Sequence, residues 1–101
     1  MDSFLALPRY PFTRSAIEHA PEEGGIYGLF EATEFIYIGT TFDSNRACLL
    51  RHQDGAHGEC TMAATAFAWE ATLWPRARAA EVMARYHESQ RRAPRCQAKA
   101  A

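Results

Sequence analysis

The stretch GGIYGLFEATEFIYIGT, residues 24–40, constrains this chain more than any other. Two short runs rich in Ile, Tyr and Phe stand on either side of the tetrapeptide EATE. β-Branched and aromatic residues suit a pleated, half-buried surface, and two such runs around a short connection read as an antiparallel hairpin. The expected strands are residues 25–31 and 35–39. Ile26, Gly28 and Phe30 alternate with Tyr27 and Leu29, so both faces are apolar and the sheet needs helices to cover it. Each run also sets a glycine close to a tyrosine, Gly25 near Tyr27 and Gly39 near Tyr37. A hairpin alone does not require that pairing, but a close approach of backbone to a ring or a ligand does.

Beyond the hairpin, Ser44 or Asp43 can cap a helix beginning near Asn45, and Gly55 ends it. Cys48, Leu49 and His52 share one face of that helix. Residues 53–60 read as a loop carrying His57, Gly58 and Cys60, and Thr61 is placed to cap a short Ala-rich turn. AFAWEATLW, residues 66–74, alternates Phe67, Trp69, Ala71 and Leu73 with Ala68, Glu70 and Thr72, which predicts a third strand. Pro75 suits the first turn of a helix whose body, residues 76–90, carries the stripe Ala79, Val82, Met83, Tyr86. The chain leaves helix before Pro94. Pro8, Pro11 and Pro21 break up residues 1–23, where TRSAIEHAPEE reads as one short helical turn. The order is β-β-α-β-α: an α+β fold with a three-stranded, mostly antiparallel sheet flanked by helices. The expected organisation is an N-terminal extension over 1–23, a domain over 24–97 and a tail over 98–101.

A chain of 101 residues supports one small core. No apolar run approaches the length of a membrane span, and no basic region followed by an apolar stretch opens the chain. The expectation is a soluble, cytoplasmic protein without a membrane partner. Cys48, Cys60 and Cys96 are odd in number and lack CxxC spacing, which argues against a disulfide framework and fits a reducing compartment; a Cys60–Cys96 contact stays open. Charge is uneven: residues 75–101 sum to +5 and residues 1–74 to −6. The basic C-terminal third is a candidate anion-facing surface, set against a solvated helix face and tail.

With the hairpin and these elements in place, the chain resembles the GIY-YIG nuclease superfamily. Gly25-Ile26-Tyr27 and Tyr37-Ile38-Gly39 stand as the two motifs, one on each strand. LLRHQDG, CTMAAT and FAWE resemble the helix, loop and third strand of small bacterial members, and PRCQ resembles the Pro and Asn that close the domain. The resemblance spans residues 24–97. It implies a DNA endonuclease, a hydrolase using one Mg²⁺ or Mn²⁺ held by a glutamate. It also implies a tyrosine that helps deprotonate water, an arginine that neutralises the developing charge and a supporting asparagine. Such groups suit phosphodiester cleavage, where charge gathers on nonbridging and leaving oxygens.

On that resemblance, Tyr27 and Tyr37 are catalytic, Gly25 and Gly39 shape the site, and His52 assists at the phosphate. Arg46 is the nearest basic residue to the arginine position, which itself falls at Cys48 or Ala47; Arg51 is expected to point elsewhere. Glu81 is the candidate metal ligand, although the register places the glutamate position at Ala79. Gln97 stands for the asparagine. Cysteine carries no positive charge and alanine binds no metal, so the alternative is a catalytically inactive module binding nucleic acid or a protein partner. A zinc set from His52, His57 and Cys60, a Cys48–His52 thiol–imidazole pair, and surface pairing of Glu81 with Arg78 or Arg85 are the competing readings of those residues.

Overall fold

The computed structural model describes residues 3–97. The expected tail, residues 98–101, lies outside the described residues. The hairpin strands are β2, Gly25–Glu31, and β3, Glu34–Thr41. They pair antiparallel, with Tyr27 opposite Gly39 and Leu29 opposite Tyr37. The third expected strand is present as β4, Ala66–Ala71, shorter than the alternation suggested. It pairs antiparallel with the other side of β2, setting Tyr27 opposite Trp69.

The sheet has four strands, not three, in the order β1-β4-β2-β3. The added strand is β1, Tyr10–Pro11, whose two residues pair with Phe67 and Ala66. A two-residue strand ending in proline has no alternation to read, and its outer edge cannot lengthen because proline lacks the N–H. The expected short turn before the hairpin is α1, Arg14–Ile17, capped by the Thr13 hydroxyl accepting from the Ala16 N–H. Residues of this leading segment enter the core: Phe4, Ile17 and Ala20 are all buried.

Helix α2, Asn45–Gln53, starts as expected, with Ser44 Oγ accepting from the Ala47 N–H. Thr61 does not cap a turn; it lies inside the short helix α3, Glu59–Met62, which begins after Gly58. Helix α4, Pro75–Gln90, opens on Pro75, where the missing N–H costs nothing, and stops at Arg91 in the left-handed region at φ 61°.

The helices make two cores, one on each sheet face. Tyr27, Leu29, Ile36 and Phe67 pack with Ile17, Cys48, Leu49 and Cys96 under α1 and α2. Ile26, Phe30, Phe35, Ile38 and Ala68 pack with Phe4, Val82 and Tyr86 under α4. A β-bulge between the Leu29 and Phe30 pairings leaves Ile36 without a partner opposite it. The bulge shifts the alternation of β3, so Ile36 and Tyr37 pack against the same core while Phe35 and Ile38 serve the other. Tyr37 is thereby brought to the Tyr27 side of the sheet.

Cys60 and Cys96 form a disulfide with Cα atoms 5.6 Å apart, which corrects the cysteine expectation and leaves Cys48 as the free, buried thiol. An odd count excludes a fully paired framework but not one bridge between segments that the fold brings together. The bridge spans 36 positions, so in the loop-entropy account it stabilises the fold by about 3–4 kcal/mol. Among the described residues, no helix is long and apolar enough to cross a membrane.

Candidate functional site

The two motif tyrosines and the α2 histidine meet. Tyr27 Oη and His52 Nε2 are 2.7 Å apart and buried, and the Tyr27 and Tyr37 ring centroids are 6.2 Å apart. The His52 ring is 4.9 Å from that of Tyr37 and stacks at 4.0 Å on His57. His57 comes from the loop after α2, where the sequence offered it as a zinc candidate beside His52 and Cys60. His52 itself is fully buried on the inner face of α2, one turn after Cys48.

Burial pushes the Tyr27 phenol well above its ordinary value, with Tyr37 and Cys48 adding to the rise and Arg51 opposing it. Tyr37 is raised too, chiefly by burial. Burial, then His57 and Arg51, pushes His52 down to about 3. At neutral pH the phenol is therefore protonated and the imidazole neutral. The pairing that gives the phenol proton an acceptor has Tyr27 donating to Nε2, with the imidazole proton on Nδ1. That Nδ1 atom is buried without a hydrogen-bond partner, a cost of about 1–3 kcal/mol. A phenol held protonated and directed at His52 is a poor base for water at neutral pH.

A cavity of about 390 Å³ opens beside this pair along the outer edge of β3. Tyr27, Tyr37, Gly39 and Thr40 line it from the sheet, Cys48 and Arg51 from α2, Ala79, Ala80 and Met83 from α4, and His57 and Gln97 from the connecting segments. Gly39 is required here: a Cβ at this position would overlap the Tyr27 ring. Gly25 serves the sheet instead, with φ 156° and no room for a Cβ against the Glu70 carbonyl.

The arginine at the cavity is Arg51, not Arg46. Arg51 reaches back three residues to donate to Cys48 Sγ at 3.1 Å. The i, i+3 spacing that makes these neighbours on one helix surface was the signal, since Cys48 occupies the position where the resemblance asks for arginine. Arg46 is engaged elsewhere, donating to the Ala20 carbonyl at 2.9 Å and pairing with Glu22. Cys48 and His52 do not pair with each other, because Arg51 takes the sulfur and Tyr27 takes the imidazole.

Glu81 does not reach the cavity. It pairs with Arg78 at 3.0 Å, and Arg78 also holds Glu70 at 2.7 Å. Glu81 lies on the far side of α4 from the sheet stripe, whereas Ala79 and Ala80 face the cavity. Gln97 does come to the site: its amide accepts from the Ile38 N–H at 3.0 Å and donates to the Ile38 carbonyl at 2.9 Å.

This lining does not fit the Mg²⁺ or Mn²⁺ that the resemblance implies. Those ions need hard oxygen donors, carboxylates above all, and among the described residues no carboxylate lines the cavity. Among the described residues no three His, Cys, Asp or Glu side chains stand close enough to hold a metal, which also removes the zinc set, with Cys60 in the disulfide. The basic C-terminal third is likewise less exposed as charge than its sequence suggests. Arg78, Arg92 and Arg95 each face a glutamate: Arg92 pairs with Glu34, and Arg95 with Glu31 and Glu34 at the hairpin turn.

No family model, curated protein or solved structure matches this chain.

Proposed function

We propose that the protein is a GIY-YIG-type domain that holds a nucleic-acid phosphate in the β3-edge cavity without metal-dependent hydrolysis. The observation that carries this reading is the company Arg51 keeps. Arg51 has a thiol as its partner and, among the described residues, no carboxylate, whereas Arg46, Arg78, Arg92 and Arg95 are all paired with glutamates. A guanidinium has five donors and suits phosphate oxygens. Tyr37 adds a hydroxyl and His57 a ring at the same cavity. The small side chains of Ala79 and Ala80 occupy the wall where nuclease chemistry would need a carboxylate. A protonated Tyr27 supports binding over water activation.

The experiment is fluorescence anisotropy with a labelled duplex oligonucleotide across a salt series, beside a plasmid and branched-DNA cleavage assay in Mg²⁺ or Mn²⁺. The expected result is salt-dependent binding that Arg51→Ala weakens, and no cleavage by the unaltered protein. Cleavage that disappears in Glu81→Ala would return the chain to the endonucleases. Affinity without salt dependence, or none, would leave a module for a protein partner or for structure alone.

A further inference from the structure

β3 is an edge strand of the sheet, and its outer edge is covered by the segment after α4. The Cys96 N–H donates to the Ile36 carbonyl at 2.8 Å, and the Gln97 amide satisfies both the N–H and the carbonyl of Ile38. These bonds occupy an edge that would otherwise be open to pairing. Gln97 and Ile38 are also walls of the cavity. The covering segment follows Pro94 and the left-handed stop at Arg91, so it is not part of α4. Arg95 joins it to Glu31 and Glu34 through exposed ion pairs, which contribute little. The covalent hold is the Cys60–Cys96 bridge to α3.

The two sulfurs of this bridge are unequally placed. Cys96 is fully buried in the core that contains Tyr27 and Cys48. Cys60 lines an open surface cavity of about 520 Å³ with Glu59, Ala63 and Arg95. A reductant therefore meets Cys60 first.

We propose that the Cys60–Cys96 disulfide is a redox latch: oxidised, it holds Gln97 in the cavity wall; reduced by a dithiol, it releases the β3 edge and weakens binding at the cavity. The thiolate of the dithiol attacks Cys60 Sγ, the Sγ–Sγ bond breaks, and Cys96 leaves as a thiolate that takes up a proton. The second thiol of the dithiol loses its proton and attacks its own sulfur in the mixed disulfide. Cys60 leaves as a thiolate and is protonated, and the dithiol departs as a cyclic disulfide. Two electrons pass to the protein, and two protein thiols result. Tyr27, His52 and Arg51 are held by β2 and α2, so they stay in place when the latch opens. The effect on binding rests on the phosphate reading given above; the opening of the edge does not.

The test is backbone amide exchange on the full chain in three forms: oxidised, reduced with dithiothreitol, and Cys60→Ala. Anisotropy with the same labelled oligonucleotide is measured on each form. The expected result is exchange at Ile38 and Cys96 accelerated in the reduced and Cys60→Ala forms by about tenfold or more beyond the uniform acceleration that loss of the bridge's loop-entropy contribution brings to the β2 amides. Oligonucleotide affinity falls by about tenfold, the scale of two lost hydrogen bonds. Unchanged exchange at Ile38 and Cys96 after reduction overturns the latch. So does acceleration at Ile38 and Cys96 no greater than that at the β2 amides, which would make the bridge a staple of the whole fold and not a latch on its edge. If the edge amides respond but the oligonucleotide binds neither form, the phosphate reading fails and the latch stands.

Discussion

Tyr27 and Gly39 stand opposite each other on β2 and β3, and the Tyr27 ring lies where a side chain on residue 39 would be. The glycine of the second motif is thus a space made for the tyrosine of the first. The ring crosses the neighbouring strand to reach His52 on α2. Gly39→Ala is expected to displace the ring, break the Tyr27–His52 bond and cost about 1–3 kcal/mol, the usual range for overpacking. Urea unfolding measures the cost, and near-ultraviolet circular dichroism reports the loss of tyrosine packing. Stability within about 0.5 kcal/mol of the parent would mean that the ring has room to move.

The Tyr27–His52 bond is buried, so removing one partner leaves the other orphaned. Tyr27→Phe should cost about 1–3 kcal/mol, because Nε2 joins Nδ1 as an unsatisfied atom. A double-mutant cycle with His52→Leu should return a coupling of about 0.5–3 kcal/mol. Additive losses would show that the two groups do not interact.

His52 also sets a pH dependence. A histidine in the unfolded chain titrates near ~6.5. In the fold it is pushed down to about 3, chiefly by burial. Between those values the unfolded state binds a proton that the folded state refuses, so stability rises with pH across the window. The contribution is fully present above about pH 6.5 and is lost as pH falls toward the folded value, at up to about 1.4 kcal/mol per pH unit. Urea midpoints measured across this range should show that slope, and His52→Gln should flatten it. A parent and variant with parallel profiles would assign the acid sensitivity elsewhere.

Arg51 and Arg46 should separate cleanly. Arg51→Ala is expected to lower oligonucleotide affinity by about tenfold, the scale of a lost charge-assisted phosphate contact, with little change in stability. Arg46→Ala should leave affinity alone and cost about 1 kcal/mol of stability, because the Ala20 carbonyl loses its donor. The reverse pattern, read by anisotropy and urea unfolding together, would restore Arg46 to the site.

Metal response isolates the role of α4. The parent protein and Glu81→Ala should both show no shift in melting temperature on adding Mn²⁺, since Glu81 is held by Arg78 outside the cavity. Ala79→Glu places a carboxylate in the cavity wall and should gain a concentration-dependent upward shift. A Mn²⁺ shift in the parent that Glu81→Ala abolishes would show that the glutamate turns inward.

Much of the sheet was legible because its signals are local. The Ile-, Tyr- and Phe-rich runs, Ser44 before α2, and Pro75 at the start of α4 each act within a few residues, and each stands where expected. Strand β1 was not legible, since two residues carry no period. The site was legible only in part. Tyr27, Tyr37, His52 and Gln97 come together as their motif positions suggest, and Ala79 faces inward as its place in the stripe predicts. Three features go beyond the local signals: Arg51 turns to Cys48 on its own helix rather than away, His57 meets His52 by stacking rather than through a metal, and the Cys60–Cys96 contact that the sequence leaves open is a disulfide.

Neighbours along the chain suffice to specify the hairpin, the helices and the apolar stripes, because hydrophobic period and capping act over a few residues. Which arginine faces the tyrosines was settled only by long-range packing. Arg46 and Glu81 were each one suitable charge in a suitable stretch. Glu81 pairs with Arg78 three residues back on its own helix, as the sequence already offers, whereas Arg46 is held away by Glu22, which only folding brings near. The same holds for Tyr37, whose side of the sheet was set by a bulge within Phe35-Ile36-Tyr37-Ile38, a run too uniformly apolar to reveal a shift in register.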